Sequence, residues 1–237
     1  MTNPKHRIIF PLDFQTLNEA LKYARLLKDH VGVFKIGLEL FTASGPESIK
    51  AVKEETGLKV FLDLKLHDIP ETIKRATKAA AALGADFLTV HAEGIKGLKS
   101  FFVESKAGGI KILGVTALTS LSEADLKESG IEKTPNELVI IRARLSKEAG
   151  LSGVVCSGQE VQSIKSAFGA DFLAICPGIR TEEDKRDDQK RTSTAYEAVY
   201  SGADYIVVGR PIKNSPDPQR AASFIALQIE NALKNKE

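Results

Sequence analysis

The stretch KVFLDLKLHDIPETIKRATKAAAALGADFLTVH, residues 59–91, decides the fold. It opens on an apolar run, Lys59 to Leu64, and closes on another, Asp86 to His91. Between them Ile73, Ala76, Ala80 and Leu83 recur at the spacing of one helix face. Pro70 suits the first helical turn, where a missing N–H is harmless, and Gly84 suits the helix end, where the chain turns left-handed. The reading is strand, helix, strand.

The same unit repeats outward in both directions. Further apolar, β-branched runs occupy Ile8 to Leu12, Val31 to Ile36, Ile110 to Thr116, Gly153 to Cys156, Asp171 to Cys176 and Asp204 to Val208. Leu17, Ala20, Leu21, Ala24 and Leu27 mark another helix, and Gly57, Gly150, Gly169 and Gly202 each stand between a helical stretch and the next strand. Strands separated by helices argue for a parallel sheet, because a parallel neighbour needs a long crossover. Eight units in 237 residues is about 30 residues each, the scale of a (β/α)8 TIM barrel. The expectation is an α/β fold of that type, a single domain over residues 1–237, with a doubly wound open sheet as the other arrangement of the same units. The fifth unit is longer and reads as two helical segments, Thr119 to Gly130 and Thr134 to Gly150. The run Thr181 to Arg191 holds no apolar residue, so it reads as a solvated loop or a lid over a site.

Composition narrows the function. Lys and Arg number 33 against 31 Asp and Glu, a formal charge of +2, which leaves no basic stripe for tracking nucleic-acid phosphates. Hydrophobic residues at 43% supply a large core, while no run approaches the roughly 18 apolar residues of a membrane span. No signal-peptide run precedes Ile8, so the cytoplasm is the expected location. The two cysteines, Cys156 and Cys176, lack metal-ligand spacing and read as small buried apolar residues.

A barrel builds its active site at the C-terminal ends of its strands. The polar residues that end the apolar runs are Asp13, Lys35, Asp63 with Lys65, His91, Thr116 with Thr119, Cys156 with Ser157, Pro177 to Arg180, and Gly209 with Arg210. Asp63 and Lys65 are two apart, so on an extended strand they share a face; Asp68 follows beyond the strand. Such a set on a surface would be a solvated ion-pair cluster. Here it ends buried runs, and buried charges must pair. An ammonium between carboxylates can donate a proton, while the carboxylates alone would equally serve as bases or as ligands for a divalent cation. On the opposite side Cys-Pro-Gly-Ile-Arg (176–180) and Gly-Arg-Pro-Ile (209–212) follow strands seven and eight, where barrels commonly grip phosphate with backbone N–H groups and Arg forks. Gln189 and the charged loop around it would close over that phosphate. His67 and His91 read as structural hydrogen-bonding residues. No Gly-x-Ser-x-Gly elbow for nucleophilic catalysis is present.

Taken together, Leu12-Asp13, Phe34-Lys35-Ile36-Gly37, Asp63 to Pro70, Thr116 to Ser120, Pro177-Gly178-Ile179-Arg180, Asp188-Gln189 and Gly209 to Ile212 closely resemble the bacterial orotidine 5′-monophosphate decarboxylases, nearly end to end. Related sugar-phosphate decarboxylases and synthases share the D-x-K-x-x-D pattern; Lys35 in F-K-I-G, P-G-I-R and the later D-Q separate the readings. The resemblance implies that Asp13 and Lys35 contact the ribose hydroxyls and that Lys35, Asp63, Lys65 and Asp68 form one charged network. It implies further that Asp68, with Ile69 and Thr72, reaches across a homodimer interface into a shared active site. Thr119 and Ser120 match the pyrimidine-contacting segment; Pro177, Arg180, Gln189, Gly209 and Arg210 match the phosphate grip. Two positions depart from the family pattern: Cys176 where Thr or Ser is more usual, and Ala195 where Pro is common.

The implied reaction is loss of CO2 from orotidine 5′-monophosphate to give uridine 5′-monophosphate, the last step of de novo UMP biosynthesis. No cofactor is expected: Lys65 stabilises and then protonates the C6 carbanion. The other readings are a Mg-dependent 3-keto-gulonate-6-phosphate decarboxylase or hexulose-phosphate synthase of the same barrel group, or a non-catalytic protein that binds a phosphorylated ligand.

Overall fold

A computed structural model describes residues 3–180 and 191–236. A 3-10 turn, Pro4–Arg7, leads into β1 (Ile8–Pro11), and then come α1 (Leu17–Leu27), β2 (Val33–Gly37), α2 (Leu38–Ser44), α3 (Glu47–Thr56), β3 (Lys59–Leu66), α4 (Pro70–Ala82) and β4 (Phe87–His91). The chain continues through α5 (Lys99–Ala107), β5 (Lys111–Val115), α6 (Glu123–Glu128), α7 (Pro135–Glu148), β6 (Gly153–Val155) and α8 (Val161–Phe168). It ends with β7 (Leu173–Cys176), α9 (Ala195–Tyr200), β8 (Tyr205–Val207), α10 (Arg210–Lys213) and α11 (Pro218–Lys234). Each strand pairs in parallel with the next, and β1 pairs with β8 as well as β2, so the sheet closes as a barrel. Closure excludes the doubly wound arrangement. No helix of the described residues is long and apolar enough to cross a membrane.

Period-two alternation fills the two layers. Ile9, Val33, Phe61, Phe87, Leu113 and Ile175 point inward and pack together inside the barrel. Their neighbours Ile8, Phe34, Leu62, Leu88, Ile112 and Ala174 point outward into the core beneath the helices. Edge-on contacts of Phe87 with Phe61 and Tyr205, with centroids 5.9 and 5.4 Å apart, fill the interior below the mouth.

The N-terminal end is held by two matching clamps. Asp86, just before β4, accepts hydrogen bonds from the Val60 N–H and from Lys53 Nζ, at 2.9 and 2.8 Å. Asp204, just before β8, accepts from the Ala174 N–H and from Lys165 Nζ, at 2.8 and 2.7 Å. In both cases an aspartate read from sequence as the first strand residue stands one position outside the strand and ties its neighbour to the preceding helix.

Other differences are local. Gly57 and Gly84 take φ values of +67° and +82° and end their helices as expected. The second unit carries an additional helix, α2, and in the fifth α6 begins only at Glu123, capped by Ser122, which frees Thr119 and Ser120 as loop. Ala195 is the first residue of α9, behind the Thr194 cap, a position that proline suits and alanine fills without loss. Arg191, read as the end of a solvated loop, is buried: it ion-pairs with Glu160, and its Nη2 donates to the carbonyls of Ala117 and Leu118, each at 3.0 Å.

Candidate active site

The charged centre begins on β3, which runs two residues beyond its expected end, and not as a regular strand. Leu62 pairs with Leu88 and Leu66 with Val90, so three residues of β3, Asp63 to Lys65, lie opposite the single residue Thr89 of β4. Within this bulge Lys65 has φ +50°, the only left-handed residue other than glycine among those described. Simple alternation is therefore not what brings Asp63 and Lys65 together; the bulge re-aims Lys65, and its Nζ donates to Asp63 Oδ2 at 2.9 Å.

Lys35, from β2, reaches the same carboxylate. Its Nζ lies 3.5 Å from Asp63 Oδ2 and 3.2 Å from Asp13 Oδ1. Lys35 fits because position 37 is glycine: a Cβ there would stand 2.9 Å from Lys35 Nζ and 3.1 Å from Asp13 Oδ1. Asp63 is buried between the two ammonium groups, and Thr89 Oγ1 donates to its other oxygen at 2.9 Å. Burial pushes the Asp63 carboxyl up; the charges of Lys35 and then Lys65, with hydrogen bonds from Lys65 and Thr89, outweigh it and hold the group below the ordinary aspartate value.

This network forms one wall of a cavity of about 340 Å³ at the C-terminal mouth of the barrel, a size suited to a small-molecule ligand. Phe61, Val155, Cys156 and Val207 make its apolar floor, and Ala117 to Ser120 from the β5 loop line another side. Opposite the lysines stand Pro177, Gly178, Arg180, Gly209 and Arg210. Gly209 caps α10 and passes so close to Pro11 that a Cβ would meet Pro11 Cγ at 2.9 Å. The cavity thus has a cationic and carboxylate pole, an apolar middle and an arginine-rich pole.

Of the residues expected at the site, Asp13, Lys35, Asp63, Lys65, Thr119, Ser120, Pro177, Arg180, Gly209 and Arg210 line this cavity. Asp68, Ile69 and Thr72 do not. Asp68 and Ile69 lie on the exposed β3–α4 connection, where Asp68 Oδ1 accepts from the Ile69 N–H at 2.7 Å and Ile69 is 67% exposed, and Thr72 is exposed in the first turn of α4. Gln189 lies outside the described residues. Thr116 is buried and donates to the Val155 carbonyl at 2.7 Å, tying β5 to β6. The rings of His67 and His91 meet at a tilt with centroids 4.8 Å apart, and His91 faces Glu93, outside the cavity. Cys156 and Cys176 are buried thiols as expected; contact with Cys156, then burial, holds the Cys176 thiol well above its ordinary value. Among the described residues no three His, Cys, Asp or Glu side chains are grouped to hold a metal ion.

Sequence reasoning missed Thr89, which holds Asp63, and Arg191, which ties down the β5 loop, and took Gly37 only as part of a motif. Thr89 carries one sequence signal, a hydroxyl at an inward position of β4 two residues after Phe87.

Residues 6–225 match the model of the orotidine 5′-phosphate decarboxylase / HUMPS family. The chain belongs to that family. Among relatives, the orotidine 5′-phosphate decarboxylase of Desulfosudis oleivorans is 46% identical over 239 residues, covering 98% of this chain and 96% of its own. That of Wolbachia pipientis is 47% identical over 219 residues, 92% of this chain and 96% of its own. A crystal structure of the Lactobacillus acidophilus orotidine 5′-phosphate decarboxylase superimposes with a TM-score of 0.80 at 36% identity, covering 94% of this chain and 98% of that one.

Proposed function

We propose that the protein decarboxylates orotidine 5′-monophosphate to uridine 5′-monophosphate and CO2, without a cofactor. The observation that carries this reading is the placement of Lys35 Nζ between Asp13 and Asp63, at 3.2 and 3.5 Å. An ammonium stands where two carboxylates would otherwise offer a seat to a divalent cation, which disfavours the magnesium-dependent reading. Four clustered charges serve a reaction better than simple retention of a phosphorylated ligand, which the arginine pole alone would achieve.

The chemistry follows from the two poles. Loss of CO2 leaves a carbanion at C6 that the pyrimidine ring delocalises poorly, so the protein must supply opposite charge in a dry site. Lys65 supplies it as a fixed ammonium beside Asp63 and then gives C6 its proton. Asp63 and Asp68 of the partner subunit orient Lys65, while Lys35 and Asp13 hold the ribose hydroxyls. Thr119 and Ser120 meet the pyrimidine. Pro177, Arg180, Gln189, Gly209 and Arg210 take the phosphate, and energy from that distant contact lowers the barrier at C6. Ile69 and Thr72 accompany Asp68 in a homodimer with shared sites. Exposure of Ile69 in the single chain supports this, since a large apolar side chain left on the surface suits an interface. The enzyme works in the cytoplasm.

The test is to follow the absorbance change of orotidine 5′-monophosphate with purified protein after exhaustive chelation. Full turnover is expected. Activity that appears only when magnesium is restored refutes the reading in favour of the metal-dependent alternative.

A further inference from the structure

The bulge in β3 has three residues facing one, and that one is Thr89. Its side chain is fully buried at an inward position of β4, where Phe87, two residues earlier, is part of the apolar interior. A β-branched apolar residue would fill such a place equally well. Instead the hydroxyl bonds both ends of the bulged segment: Oγ1 donates to Asp63 Oδ1 at 2.9 Å and accepts from the Lys65 N–H at 2.9 Å. Both bonds fall on residues whose geometry is otherwise hard to hold. Asp63 is a buried anion with one oxygen already shared by two lysines, and Lys65 is a non-glycine residue at φ +50°, a conformation that persists only when its surroundings determine it.

We infer that Thr89 is a positioning residue of the reaction: a single hydroxyl fixes the Asp63 carboxylate and the left-handed backbone of Lys65 relative to each other, and so sets where the ammonium stands. The inference rests on Lys65 being the proton donor proposed above. Thr89 does not itself line the cavity, so its loss acts on the barrier and hardly on nucleotide binding. Without its hydroxyl Asp63 loses one hydrogen bond that favours its anionic form, while Lys35, Lys65 and, beyond Lys35, Asp13 remain around it. The Asp63 carboxyl then protonates at higher pH.

The experiment compares Thr89→Val, which keeps the shape and removes the hydroxyl, with Thr89→Ser, which keeps the hydroxyl. Orotidine 5′-monophosphate turnover, uridine 5′-monophosphate affinity and the pH profile of kcat are measured for each. Thr89→Val is expected to lose on the order of 10- to 100-fold in kcat, the scale of a small misplacement of a reacting group. Its KM and product affinity should stay within about threefold of wild type. Its acid limb should move to higher pH, and Thr89→Ser should recover most of kcat. If Thr89→Val does not fold, Thr89→Ala is read by the same criteria. Wild-type kcat with an unmoved acid limb in the hydroxyl-free variant overturns the inference. So does a parallel loss of kcat and product affinity that serine fails to restore, which marks Thr89 as mere packing. Failure of the wild-type protein to decarboxylate the nucleotide refutes the underlying function instead.

Discussion

Gly37→Ala probes the charged centre with one methyl group. The backbone there, φ −94° and ψ −174°, is extended and open to alanine, so the perturbation falls on the side chains. A Cβ would lie 2.9 Å from Lys35 Nζ, and restoring ordinary contact pushes the ammonium back by roughly 0.5–1 Å. Starting from 3.5 Å, that withdrawal weakens its attraction to Asp63 by roughly 0.6–1 kcal/mol at an effective dielectric of about 20. The pair with half-exposed Asp13 adds no more than about 1 kcal/mol. The sum, roughly 1–2 kcal/mol, predicts a fall of about 5- to 30-fold in kcat/KM. Alanine also restricts the unfolded chain, which returns about 0.4–1 kcal/mol, so Tm should move by only a few degrees. The assay is orotidine 5′-monophosphate decarboxylation beside a thermal melt. A variant with kcat/KM within about twofold of wild type refutes the assignment of Lys35 to the reacting network. A Tm loss above about 10 °C shows instead that Gly37 matters to the fold.

The remaining predictions concern the donor, the partner and two buried carboxylates. Lys65→Ala and Asp68→Ala should each abolish decarboxylation while product binding to Lys65→Ala survives; mixing the two chains should restore about a quarter of wild-type activity, because a symmetric dimer puts both changes in one site of each mixed pair. No recovery on mixing means that Asp68 does not cross the interface. Arg191→Met strands Glu160, 4% exposed, as an unpaired buried carboxylate, at a cost of about 3–5 kcal/mol; thermal melts should show that a second change, Glu160→Gln, recovers part of the loss. Asp63 has a lowered pKa, so its contribution to stability is complete above the unfolded value of about 3.9 and fades as pH falls through the lower folded value. In acid titrations Asp63→Asn should lose stability at neutral pH and decline less steeply below about pH 4; parallel curves count against the pairing.

The barrel was readable because its signal is redundant. Residues 59–91 state the strand–helix–strand unit once, and the rest of the chain repeats it. Most of the cavity was readable for a related reason: a polar residue ending an apolar strand sits at the mouth whatever its neighbours do. Thr89 escaped because its role depends on register. A threonine in Phe87-Leu-Thr-Val-His91 reads as an ordinary strand residue until β3 slips by two positions beside it. Arg191 escaped because a charged run looks solvated in one dimension, whereas its last member folds back beneath Ala117 and Leu118. Asp68 stands exposed in the single chain, and the role proposed for it lies at a second subunit.

Lys65 is a lysine where the backbone would prefer glycine. A survey of variants scored only by folding yield would therefore favour glycine at position 65, and one scored by turnover of orotidine 5′-monophosphate would reject it. The residue on which the two rankings disagree most sharply is the proposed proton donor. That disagreement, detectable without any structure, marks a place where the chain gave up comfort for chemistry.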